Sequence, residues 1–244
     1  MQETARDRTS GWLQPLAMDV RSLAAFRVGV AAVLLADLAL RAADLGAHYT
    51  DAGMVSRADV LLDFPFLHEW PVALHLATGS WVGQAVLFAI HAAAACALLV
   101  GHRTRLATFV CWLLLTSLQL RNLTLGLSYD AILRLALVWG CFLPLGAAWS
   151  LDQARGRVAA RPAPRVLGVA TVALLVQIAI IYLGPGIAKA LSPPWRDGTA
   201  IALVLNDELN VSRVGTWLAT MPALGRPLTP LVWMWELVGV ALLL

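Results

Sequence analysis

Residues 166–188 read VLGVATVALLVQIAIIYLGPGIA and are followed by Lys189. The run holds neither an acid nor a base, and a helix needs ~20 apolar residues to cross the hydrocarbon of a bilayer. It is too long and too apolar for the half-buried helix of a soluble domain, so it reads as a membrane span. Five further apolar stretches flank it, at 22–43, 80–100, 105–121, 130–149 and 229–244, and 199–223 is a shorter seventh candidate. Composition agrees: 59% of the 244 residues are hydrophobic and 14% are charged, against about 25% charged in a soluble domain. The fold class is all-α, a polytopic transmembrane bundle of six to seven spans.

Asp44 to Thr78 breaks the apolar pattern with acids, prolines, glycines and scattered aromatics. It reads as an ordered external loop with short interfacial helices. Basic residues near the span ends set the orientation. Arg6, Arg8, Arg21, Arg103, Arg105, Arg155, Arg157, Arg161 and Arg165 fall on one side, while Arg57, Arg121, Lys189 and Arg196 are the main ones on the other. The expectation is a multi-pass integral membrane protein with a cytoplasmic N-terminus. Residues 1–20 form a tail and 21–244 a membrane domain. Because the last stretch is still apolar at Leu244, the domain reads as truncated at its C-terminus.

Cys96, Cys111 and Cys141 sit in apolar stretches and read as small buried residues. No histidine spacing suits a metal or haem, and His91, alone well inside a span, reads as a buried polar contact. Neither a metal nor a nucleic-acid partner is expected; membrane lipid is.

Charges inside spans are costly and need partners or a cavity. Asp37 with Arg41, and Asp130 with Arg134, are i, i+4 pairs with the acid first, which favours mutual neutralisation. Arg27 has no such neighbour and must look inward. In the fifth span Pro185, between Gly184 and Gly186, predicts a broken helix that lines a cavity. Tyr182, Gly186 and Lys189 share one face there. Lys189 is the only lysine among 18 basic side chains. Arginine stays protonated, whereas a desolvated lysine can lose its proton, so Lys189 is a candidate base. The plainer alternative is a lysine that snorkels to the headgroups.

Several motifs, in order, resemble the membrane domain of the vitamin K-dependent γ-carboxylases and their bacterial relatives, the horizontally transferred transmembrane (HTTM) domain proteins. They are Arg27-x-Gly29 with Asp37, Tyr49-Thr50-Asp51-x-Gly53, Gly101-His102-Arg103-Thr104-Arg105, Arg121-Asn122 followed by Asp130, and Gln177-x4-Tyr182-x3-Gly186-x2-Lys189 followed by Trp195-x2-Gly198. The resemblance implies an enzyme of the carboxylase or quinone epoxidase type, a lyase. Its cofactor would be vitamin K hydroquinone or menaquinol, with O2 and CO2 as co-substrates. Lys189 would be the base, and Asp130, where the carboxylases place a histidine, a second catalytic group. Gln177, Tyr182, Gly186, Trp195, Asn122 and Arg27 would bind the quinone, and a peptide or protein substrate would approach from the external face. The competing reading is a non-enzymatic membrane protein, a transporter, immunity or partner-binding subunit, in which the polar pairs only lock helices together.

Overall fold

The structure, a computed structural model, describes residues 14–69, 72–126, 128–158, 164–207 and 211–243. The first part of the tail, with Arg6 and Arg8, lies outside them, as do Arg161 and Pro162. The chain divides into two compact units, Ala17–Thr171 and one made chiefly of Val172–Leu244.

In the first unit four helices form a bundle: α1 (Val20–Ala43), α4 (Trp81–Val100), α5 (Thr104–Arg121) and α6 (Ser128–Phe142). Each packs on the next, and α6 also meets α1. Asp19 caps α1 by accepting from Arg21 N at 2.7 Å, and Ser80 caps α4 through Gly83 N at 3.1 Å. Ala31, Ala95, Ala107 and Cys111 alternate with Leu34, Leu98, Leu115, Leu133 and Leu137 in the core. Small residues let helix backbones approach closely, which is how helices associate where lipid removes the hydrophobic drive. Polarity is inverted relative to a soluble protein. Arg27, Gln84, His91, Ser117 and Arg121 are fully or almost fully buried, while Leu40 and Val33 on α1 are 76% and 53% exposed.

The segment between α1 and α4 is ordered, as its composition suggests. It contains α2 (Leu45–Tyr49), α3 (Arg57–Asp63), started by a capping box between Ser56 and Asp59, and short turns at Pro65–Glu69 and Leu74–Leu76. Arg121 fastens it to α5 by donating to the Val55 carbonyl at 3.1 Å. Gln84 Nε2 on α4 donates to the carbonyls of His75 and Thr78 at 2.8 and 2.6 Å. At the other end of the bundle β1 (Met18–Asp19) pairs antiparallel with β2 (Arg165–Val166). The short α7 (Leu151–Ala154) sits there too. Its Asp152 accepts from Arg103 N, Thr104 N and Thr104 Oγ1 at 2.9, 2.8 and 2.7 Å and so caps α5.

The second unit holds α8 (Val169–Leu191), which begins just before it, α9 (Pro193–Arg196), α10 (Ala200–Leu205), α11 (Arg213–Ala219) and α12 (Pro222–Gly239).

Four expectations need correction. The stretch 130–149 is helical only to Phe142, because Pro144 disfavours the helical conformation of the residue before it. Residues 199–223 form the short α10 and α11 instead of a span. The helix at Pro185 is continuous: proline removes one hydrogen bond, and the glycines on either side bring no side chains to crowd the turn. Cys96 is exposed, whereas Cys111 is buried as expected and Cys141 is intermediate. Among the described residues three helices, α1, α4 and α8, are long and apolar enough to cross a membrane.

Candidate functional site

The first unit gathers ionisable groups where α1, α2 and α6 meet. Arg41 donates to Asp37 from Nε at 2.8 Å, to Asp130 from Nη2 at 2.8 Å and to the Tyr49 hydroxyl from Nη1 at 3.0 Å. Arg41 thus takes the place expected of Arg134, which forms no ion pair among the described residues. Two carboxylates share one guanidinium. Burial pushes the Tyr49 hydroxyl above its ordinary range, against the pull of its hydrogen bond from Arg41. Beside the cluster opens a pocket of about 240 Å³ lined by Asp37, Arg41, Asp44, His48, Tyr49 and Tyr129, among others. Asn122 borders it by donating to the His48 carbonyl at 3.0 Å.

The tyrosine motif continues into Asp51. Side-chain hydrogen bonds from Arg57 come first in holding its carboxylate below the usual range. The fully buried Arg121 lies 3.5 Å away. Gly53 is needed as glycine, because a Cβ there would stand 2.3 Å from the Ala47 carbonyl oxygen.

In the second unit Lys189 occupies the last turn of α8, where carbonyl dipoles favour a cation. Its Nζ donates to Glu236 Oε1 on α12 and lies 5.0 Å from the ring centre of Trp195 on α9. Both members of the ion pair are largely shielded, with side chains 24% and 17% exposed. Gly186 permits the approach of α8 to α12, since a Cβ there would meet Leu237 at 3.0 Å and Glu236 at 3.2 Å. Two polar atoms on α12, Glu236 Oε2 and Trp233 Nε1, are buried without a hydrogen-bond partner among the described residues.

A family model described as HTTM domain matches residues 16–239. The chain belongs to the HTTM domain family. No curated protein and no solved structure matches it.

Within this HTTM domain the expected site residues fall into three groups. Lys189 and Gly186 meet Glu236 and Trp195 lies against Lys189, while Tyr182 lies on the same helix at 46% exposed and Gln177 is half-buried about two and a half turns from Gly186. Asp130 and Asn122 adjoin the charged pocket of the first unit. Arg27 belongs to neither. It is buried as expected, and its Nη2 donates to the Trp149 carbonyl at 2.7 Å. Sequence reasoning missed Glu236 and Trp233. Glu236 is the sole charge in 229–244, and an ionisable residue inside an apolar stretch is a functional candidate by default, so that signal was present. Among the described residues no group of His, Cys, Asp and Glu could hold a metal.

Proposed function

We propose that this HTTM protein is a carboxylase-like membrane enzyme that uses a reduced naphthoquinone, with Lys189 as the base. We also read it as a six-span protein with a cytoplasmic N-terminus and an external 44–78 segment. The observation that carries the reading is the meeting of Lys189, Glu236 and Trp195 beside two buried polar atoms that lack partners. A hydroquinone hydroxyl both donates and accepts. The free Oε2 of Glu236 and the free N–H of Trp233 supply the complementary pair, and the Trp195 ring offers a flat apolar surface. These donors and acceptors fit the cofactor.

Bound there with O2, hydroquinone would supply the oxidising chemistry that generates a base strong enough to remove a carbon-bound proton before CO2 adds. The chain's own task is to hold and move protons. Passage of the ion pair's proton from Lys189 Nζ to Glu236 Oε1 would let Nζ take a proton from a hydroxyl whose ordinary pKa is near 10, close to that of tyrosine. Glu236 Oε1, bonded to the same nitrogen, is the next acceptor, so the pair works as a relay. Asp130 and its pocket are kept in this reading as a second polar site.

Lys189→Arg tests the assignment, since arginine keeps the charge and can keep the pair with Glu236 but cannot serve as the base. Purified protein in lipid nanodiscs, given the hydroquinone, O2 and bicarbonate, should lose about 100-fold or more in epoxide formation while its thermal midpoint is retained. A wild-type rate in Lys189→Arg would reject the base. The ion pair itself favours one rival, a non-enzymatic bundle in which Lys189 and Glu236 merely tie α8 to α12. That rival expects no turnover in the parent and a lowered midpoint in Glu236→Gln.

A further inference from the structure

The motif Gly101-His102-Arg103-Thr104-Arg105 has no part in the reaction above, yet the fold holds it in a costly form. Gly101 and Arg103 both adopt left-handed backbone, with φ of 69° and 44°. Glycine does this freely, but an arginine in that region is strained where asparagine would be tolerated. Strain that survives beside a cavity points to a use for the side chain it presents.

The cavity is a pocket of about 660 Å³ at the level where α4 ends, α5 begins and α6 ends. Arg103, Arg105 and Arg157 line its polar part, and Leu106, Leu143 and Leu145 line its apolar part. Arg155 stands close by: Nη1 of Arg155 and of Arg157 lie 3.2 and 3.4 Å from the same His102 Nδ1. Among the described residues that line the pocket, one carboxylate, Asp152, stands against these guanidiniums. It already accepts from Arg103 N, Thr104 N and Thr104 Oγ1 and pairs with Arg157 at 3.3 Å. Arg103, Arg105 and Arg155 form no ion pair among the described residues. Cations brought together in this way repel one another unless an anion is shared among them. Guanidinium forks match phosphate oxygens, and basic pockets at the ends of membrane helices suit lipid head groups.

We propose that this pocket binds the phosphate group of an anionic phospholipid, with Arg103, Arg105 and Arg157 on the phosphate and an acyl chain along Leu106, Leu143 and Leu145. The leucine wall favours a lipid over free phosphate.

The test uses the full chain in neutral detergent, with short-chain phosphatidylglycerol, phosphatidylcholine of the same chain length, or inorganic phosphate added in turn. Phosphatidylglycerol should raise the thermal midpoint by several degrees, phosphatidylcholine should not, and inorganic phosphate should do so only weakly. In Arg103→Asn/Arg105→Gln the gain should vanish and lipid binding weaken roughly tenfold or more. Arg103→Asn alone guards against misfolding, since relief of strain should leave its lipid-free midpoint no lower than the parent's. Arg134→Gln, away from the pocket, should keep the full gain. Equal stabilisation by phosphatidylcholine, or an undiminished gain in the double variant, would overturn the proposal. Inorganic phosphate matching the lipid would overturn its lipid part.

Discussion

His75 shows how a loop residue becomes part of the interior. It is fully buried, its backbone N–H and Nδ1 both lie on Ser117 Oγ at 2.7 and 2.8 Å, and its Nε2 has no partner among the described residues. Burial first, then the neighbouring His91 and Arg121, push its pKa down to about 3 from 6.5. The unfolded chain therefore takes up a proton near pH 6.5 that the folded chain refuses until about pH 3. Its contribution is intact above 6.5 and lost as pH falls through that window, by up to about 1.4 kcal/mol per unit. The difference in thermal midpoint between wild type and His75→Asn should accordingly shrink or reverse as the buffer is acidified. A difference that stays constant with pH would contradict this. Gly101 supplies a second residue-scale expectation. A Cβ there would lie 1.7 Å from Arg27 Nη1 and 2.4 Å from Ser150 Cβ, and φ is already left-handed. Gly101→Ala should cost more than about 1 kcal/mol in unfolding free energy.

Between elements, the decisive contact is Arg41 of α1 reaching Asp130 of α6, 89 residues away in sequence. Local spacing made Asp37–Arg41 legible, because i, i+4 neighbours on a helix must meet. The same logic paired Asp130 with Arg134 and failed, since Arg41 of α1 reaches the Asp130 carboxylate from across the bundle. Spacing along one helix carries no information about a neighbour across the bundle. Glu236 was harder to place for the same reason: its partner Lys189 is 47 residues distant. The helices themselves were readable to within a few residues where composition alone decides them, and misread at Pro144 and Pro185, where the outcome depends on what surrounds the proline, and in 199–228, where two short helices and the early start of α12 replace the expected span. Removing one partner from the charged cluster should be expensive. Asp130→Asn or Arg41→Met should lower stability by about 3 kcal/mol, whereas Asp37→Leu/Arg41→Met/Asp130→Leu should recover much of it. Denaturation in detergent measures both, and a triple variant weaker than either single one would show that the cluster adds net stability.

For the molecule as a whole, the first unit sorts its charges by end. Arg21, Arg103, Arg105, Arg155, Arg157 and Arg165 lie at the end of the bundle where β1 pairs with β2, and Arg57 and Arg121 lie at the other with the 44–78 segment. This separation was legible from the sequence, because a polytopic chain alternates ends at each span. In a cysteine-free background, Met54→Cys, 76% exposed in the parent, should react from outside intact cells with an impermeant thiol reagent. Ala154→Cys, exposed at the arginine-rich end, should react only after the membrane is opened. The reverse pattern would invert the orientation.

Arg27 adds a dimension of time. The carbonyl that receives its guanidinium belongs to Trp149, 122 residues further along. At about 5–20 residues per second the ribosome needs roughly 6–24 s to make that stretch. For that interval the first helix is in the bilayer with a cation that has no carbonyl to meet. It must keep Arg27 near the headgroups and settle to its final depth only after the hairpin at Gly101 and the turn at Trp149 have been made. Nascent chains stalled before Trp149 should leave the start of α1 open to reagents that no longer reach it in the finished protein.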